Sequence, residues 1–294
     1  MSLFIDQAAA LVDERRSQIC LGLDPDPARL GDAAVNSVTS GSTAEKAAEA
    51  VSLDCRRIIE AAGAACIAVK PQLACFERLG WPGWKALDEV CEAARAAGLL
   101  VVADGKRGDV PVTAMAYGQA MVGKTETAFG TVNGLGADAF TANPLLGADA
   151  LEPLVAAAEA TGSGVFALVR TSNPGAADVQ DLETPEGPVH ESLAGLVNGF
   201  SDRLAGSAGR LSGMGAVVGA TAPEHIARLR ELMPRAIFLI PGVGAQGGRP
   251  EDLGAAFEPG RAAAMIAASR SISGADDPGQ AAEDLRQAVW DVSG

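Results

Sequence analysis

The chain has 294 residues, 48% of them apolar and only 4% aromatic. That is enough for a sizeable core, and the shortage of aromatics suits helices packed on a parallel sheet better than an aromatic-rich β-sandwich. Lys and Arg number 23 against 37 Asp and Glu, a formal charge of −14. This argues against nucleic acid or an anionic membrane as partner, and it requires any small anionic substrate to find a locally basic pocket.

In chain order, residues 3–16 read as a helix ahead of the first strand. Short apolar runs then recur: "ICLGLD" (19–24), "CIAVK" (66–70), "LLVVAD" (99–104), "ADAFTAN" (137–143), "GVFALVRTS" (164–172), "GAVVGAT" (215–221), "AIFLI" (236–240) and "AAAMIAAS" (262–269). Runs of this length, apolar throughout, read as fully buried parallel strands. Between them lie amphipathic helical patterns at 43–63, 85–98, 147–161, 190–208, 222–232 and 280–291; the first two end on Gly63 and Gly98, as helix stops do. Eight candidate strands alternating with about eight helices predict a single-domain α/β fold, a (β/α)8 TIM barrel, with a doubly wound sheet as the alternative. Residues 262–269 are the one strand that could equally be helical. Two glycine- and proline-rich stretches, 25–42 and 173–189, read as loop insertions after the first and fifth strands. Both would leave the C-terminal ends of strands, where barrel active sites lie.

No secretory signal is legible at the N-terminus and no run of 18 apolar residues occurs, so a cytoplasmic location with no membrane contact is expected. The five cysteines form no CxxC pair and read as reduced core thiols, not as metal ligands or disulfides. The two histidines, His190 and His225, sit on segments without other catalytic signals and read as structural or surface residues.

If the barrel forms, its rim collects the strand ends. Asp24 ends the first strand, Lys70 the second, Asp104 the third, with Lys106 and Asp109 just beyond. The fifth leads into Ser172, the seventh into "PGVGAQGG" (241–248) and the eighth into Arg270. Charge at one strand end is ordinary. Several convergent ends with alternating signs form a row in which each buried charge is partly neutralised by its neighbours. The two-residue period of a strand puts Asp104 and Lys106 on one face and turns Arg107 away from it. The glycine-rich loop, Gln246 and Arg270 form a candidate phosphate site, the glycines freeing backbone N–H groups to face an anion. Its position after strands seven and eight is where barrels often hold phosphate.

The stretch "VVADGKRGDVPVTA" (101–114) resembles the D-x-K-x-x-D-[IV]-P-x-T motif of the orotidine 5′-monophosphate decarboxylases. "LGLD" (21–24), "VKPQ" (69–72), "TSNPG" (171–175), "IPGVGAQGG" (240–248) and "ASRSI" (268–272) resemble that family in order, and the length and insertions resemble its longer bacterial subfamily. The resemblance implies a cofactor- and metal-independent homodimer of barrels that decarboxylates orotidine 5′-monophosphate in pyrimidine synthesis. It implies Lys106 as proton donor to the pyrimidine C6, Asp104 beside the departing carboxylate, and Lys70 between the ribose and Asp104. It implies Asp109 and Thr113 reaching across from the partner subunit, Asp24 on a ribose hydroxyl, Ser172 on the pyrimidine edge, and Gln246 and Arg270 on the phosphate. Sugar-phosphate relatives such as 3-keto-gulonate 6-phosphate decarboxylase share D-x-K-x-x-D, but they need Mg²⁺ and an acidic ligand where this chain has Lys70. A barrel that binds nucleotides without turning them over is the alternative of another class, and the intact Lys106 argues against it.

Overall fold

The computed structural model describes residues 2–294. In chain order its elements begin α1 (Phe4–Arg15), β1 (Ile19–Leu23), α2 (Asp32–Ser37), α3 (Thr43–Ala62), β2 (Ala68–Pro71), α4 (Leu73–Glu77), α5 (Trp81–Ala96), β3 (Leu100–Arg107) and α6 (Pro111–Met121). There follow β4 (Lys124–Thr127), β5 (Gly130–Asn133), β6 (Ala139–Ala142), α7 (Ala148–Thr161), β7 (Gly164–Arg170), β8 (Glu183–Thr184), β9 (Gly187–Pro188) and α8 (Val189–Gly199). The chain ends with β10 (Ser212–Val218), α9 (Ile226–Leu232), β11 (Ala236–Pro241), β12 (Ala264–Ala268), α10 (Arg270–Ser273) and α11 (Pro278–Val292).

Eight strands close into a parallel barrel in the order β1-β12-β11-β10-β7-β6-β3-β2. All eight expected strands are present, and 262–269 is one of them, because Met265 and Ala267 face the barrel interior while Ile266 and Ala268 face the helices. This two-residue alternation runs round the barrel. Ile19, Leu21 and Leu23 pack outward with Val101 and Ala103, whereas Cys20, Leu100 and Val102 pack inward. The inward set is capped at the N-terminal end by α1, whose Phe4 meets Phe166 edge to face at 5.9 Å. With that end plugged, the interior opens only toward the C-terminal ends of the strands.

Several elements differ from the sequence expectation. Helix α6 was not foreseen: its residues "PVTAMAYGQAM" are apolar on most sides and show no stripe to read. Helix α8 stops at Gly199, well short of 208, and β10 starts at Ser212 instead of 215. The seventh crossover, after β11, contains 3₁₀ turns and, among the described residues, no α-helix. An exposed antiparallel hairpin, β4–β5, follows α6. The stretch 25–42 contains α2, and 173–189 contains a 3₁₀ turn and the small hairpin β8–β9.

Candidate active site

The interior positions of the strands run upward into a cavity of about 590 Å³ at the C-terminal mouth. Parity decides who lines it. Continuing inward-facing Cys20, Ala68, Val102 and Ala139 by two residues, or by four in β1, gives Gly22, Asp24, Lys70, Asp104 and Thr141, and all five line the cavity. Lys106, Ser172, Gln246 and Arg270 complete the expected set on the wall. Gly219 and Gly242 leave room for Ser172: a Cβ on Gly219 would come within 2.7 Å of the Ser172 Cα.

Asp104 is the centre of the charged row. Lys70 Nζ donates to its Oδ2 and Lys106 Nζ donates to its Oδ1 at 2.6 Å. Gln72 Nε2 donates to Oδ2 at 3.2 Å, and Thr141 Oγ1 to Oδ1 at 2.9 Å. Burial alone would raise the Asp104 carboxyl, but the Lys70 and Lys106 ammoniums outweigh it and bring the pKa down to about 2. Burial would likewise lower Lys70; Asp104 and, behind it, Asp24 outweigh that and hold its ammonium above the ordinary lysine value. Asp104 and Lys70 thus hold each other in ionised form within one wall. The Cys20 thiol beneath them is pushed up to about 12, chiefly by burial, so it stays protonated and takes no part as a nucleophile.

The expected two-residue alternation brings Lys106 to Asp104 by an irregular route. Lys106 has φ 47°, and the β3–β6 register shifts between Ala103 and Arg107. Arg107 turns away as expected, pairing with Glu77 and lying 5.5 Å from the Tyr117 ring.

Three N–H groups of the glycine-rich loop are used within the loop itself. The N–H groups of Gly244, Gly247 and Gly248 bond to the loop's own carbonyls of Gly248, Gly244 and Gly242. They are not free to form an anion nest, and the loop's three left-handed glycines, Gly242, Gly244 and Gly247, serve its folding. The Gln246 and Arg270 side chains line the cavity, together with Val243 and Ala245 of the loop. Arg270 has no side-chain ion pair or hydrogen bond among the described residues, so its donors are free for an anion.

Asp109 and Thr113 do not line the cavity. Asp109 accepts from the N–H of Val110 at 2.7 Å at the start of α6, and Thr113 is exposed on that helix. Within one chain the row therefore ends at Lys106.

The family model for orotidine 5′-phosphate decarboxylase / HUMPS matches residues 17–285. The chain belongs to that family. It is 42% identical to the orotidine 5′-phosphate decarboxylase of Deinococcus radiodurans, over 88% of this chain and 84% of that one. It is 40% identical to that of Rhodopirellula baltica, over 92% and 88%. Among solved structures, the Leishmania donovani OMP decarboxylase superposes with a TM-score of 0.72 at 33% identity, covering 100% of this chain and 99% of that one. The Plasmodium berghei orotidine 5′-monophosphate decarboxylase, at 18% identity and a TM-score of 0.83 with 98% of each chain covered, shares the fold.

In this member of the orotidine 5′-phosphate decarboxylase / HUMPS family, the 173–189 insertion forms one wall of the cavity through Asn173, Ala176, Val179 and Gln180. Arg170, at the end of β7, grips it: Nε and Nη2 donate to the two Asp181 oxygens at 2.7 and 2.8 Å. His190 Nδ1 lies 3.2 Å from Asp181 and 2.9 Å from the Gln180 carbonyl, and its ring sits 4.6 Å from that of His225. His190 fastens the insertion, His225 packs against its ring, and both stand outside the cavity. Gln72, Thr141, Thr171 and Gln180 line the cavity and were not picked out from the sequence. Strand parity was the available signal for Gln72 and Thr141, since both follow inward-facing positions by two; for Gln180 no sequence signal exists.

Proposed function

We propose that this protein decarboxylates orotidine 5′-monophosphate to uridine 5′-monophosphate and CO2, the closing step of pyrimidine synthesis. The observation that carries this is a single buried carboxylate, Asp104, held ionised between two lysine ammoniums at the mouth of a barrel. When the C6–CO2 bond breaks, its electron pair stays on C6. No electron sink is conjugated to that carbon, so the site must stabilise the carbanion by a nearby positive charge. Lys106 Nζ supplies it and then transfers its proton to C6, leaving a neutral amine that recovers a proton from water.

Asp104 faces the departing carboxylate and repels it. At an effective dielectric of about 20 and roughly 4 Å this is worth about 4 kcal/mol. Enzymic accelerations require roughly 8–23 kcal/mol, so repulsion is secondary and stabilisation of the carbanion carries the rate. Lys70 keeps Asp104 ionised and reaches the ribose, Asp24 takes a ribose hydroxyl, Ser172 the pyrimidine edge, and Gln246 with Arg270 the phosphate. Binding energy from the phosphate end drives the placement of the charges.

Asp109 and Thr113 act from the partner subunit of a homodimer. The support is their position outside their own cavity together with exposed apolar Val110, Val112 and Met115 beside them, a patch that suits a subunit contact. The reduced state of five unpaired cysteines suits a cytoplasmic setting, and no helix is long and apolar enough to cross a membrane.

A metal-dependent sugar-phosphate activity is disfavoured by the Lys70 ammonium at the end of β2, which repels a divalent cation. The experiment is turnover of orotidine 5′-monophosphate by pure protein with and without EDTA. Full activity in EDTA is expected; activity lost to EDTA and restored by Mg²⁺ contradicts the proposal.

A further inference from the structure

Lys106 is one of two non-glycine residues among those described that adopt a positive φ, at 47°. That conformation is unfavourable for a residue with a Cβ and persists only where neighbours over-determine it. The register shift between Ala103 and Arg107 takes the Lys106 N–H out of the barrel ladder. The N–H donates instead to Thr141 Oγ1, at 2.8 Å, on the adjacent strand β6. Thr141 is 1% exposed, so its hydroxyl is largely shielded from solvent.

The chemistry of the three groups fixes the direction of every bond. The Lys106 N–H can only donate, and the Asp104 carboxylate, ionised, can only accept. The single Thr141 proton therefore goes to Asp104 Oδ1, at 2.9 Å. Lys106 Nζ donates to the same Oδ1 at 2.6 Å. The ring is closed: Lys106 backbone to Thr141, Thr141 to Asp104, Asp104 to the Lys106 ammonium. One hydroxyl holds the unusual backbone of the proton donor and orients the carboxylate that aims its ammonium.

We infer that Thr141 is a positioning residue for proton delivery, acting through Lys106 and Asp104; this rests on the decarboxylase reading above. Valine has the same shape without the hydroxyl, and serine keeps the hydroxyl without the methyl. The test compares the wild type with Thr141→Val and Thr141→Ser for kcat and KM on orotidine 5′-monophosphate, affinity for uridine 5′-monophosphate, and Tm.

The expected result is a kcat at least tenfold lower in Thr141→Val, KM and uridine 5′-monophosphate affinity within threefold of wild type, and recovery to within threefold in Thr141→Ser. A loss of packing alone would not separate kcat from binding in this way, nor be reversed by a smaller side chain. Should Thr141→Val not fold, Thr141→Cys, similar in volume and a weak hydrogen-bonding group, takes its place with the same expectation.

Three results overturn the inference while leaving the activity standing: an active wild type whose Val variant keeps kcat within threefold, a Ser variant as impaired as Val, or a Val defect confined to KM. A folded wild type with no turnover overturns the decarboxylase reading and the inference together.

Discussion

At Asp104 one carboxylate collects four donors, from Lys70, Lys106, Gln72 and Thr141. Its folded pKa of about 2 lies below the ordinary aspartate value near 3.9. A depressed carboxyl contributes stability that is fully present above about pH 4 and disappears as pH falls toward 2. The gap corresponds to at most about 2–3 kcal/mol. Urea unfolding at pH 5, 4 and 3 should therefore show the wild type losing stability more steeply than Asp104→Asn; parallel losses would contradict the ionised assignment.

Lys106→Ala should stay folded and, if Lys106 is the proton donor as proposed, lose roughly 10³-fold or more in kcat, since both the local charge and the donor go. Retention of activity within tenfold contradicts its role. If Arg270 binds the phosphate as proposed, Arg270→Ala removes a charge-assisted contact of about 1.5–3 kcal/mol, so KM should rise about 10–100-fold with Tm unchanged; an unchanged KM removes Arg270 from the site. At this scale the sequence was most informative where strand parity applies, which is why Lys70 and Asp104 converge as read; Lys106 joins them through a backbone irregularity that parity does not describe. It was least informative in the 241–248 loop, where glycine content says nothing about which way each N–H points; three of them turn inward.

The strands were legible because each is a short run buried on both faces, and their alternating residues split between the barrel interior and the helix layer. Helix α6 was hidden by the same logic in reverse. Val110, just before the helix, and Val112 and Met115 on it are exposed in the single chain, so polarity does not mark its outer face. The 173–189 insertion showed only loop composition, and its fastening comes from Arg170, Asp181 and His190, none of them a motif residue. Arg170 is 8% exposed, so leaving its charge without Asp181 should cost about 2 kcal/mol, less than a fully buried pair because Asp181 is partly open to solvent. Asp181→Ala should also speed limited proteolysis within 173–189. Unchanged cleavage would show that the clamp does not hold the insertion.

For the whole molecule, a charge of −14 surrounds a cavity whose cations are Lys70, Lys106 and Arg270 against Asp24 and Asp104. The acidic surface gives no help in steering an anionic substrate, and the pocket must do so locally. The barrel alone does not bring Asp109 and Thr113 to that pocket. A dimer that completes the site in trans predicts partial recovery when inactive Lys106→Ala and Asp109→Ala chains are mixed and exchange subunits. Exchange without recovery counts against shared sites. The most direct test is to mix the purified wild-type protein with orotidine 5′-monophosphate in EDTA, following the substrate's absorbance and the uridine 5′-monophosphate formed. The expected result is loss of substrate matched one for one by product. A folded protein that leaves the substrate intact would contradict it.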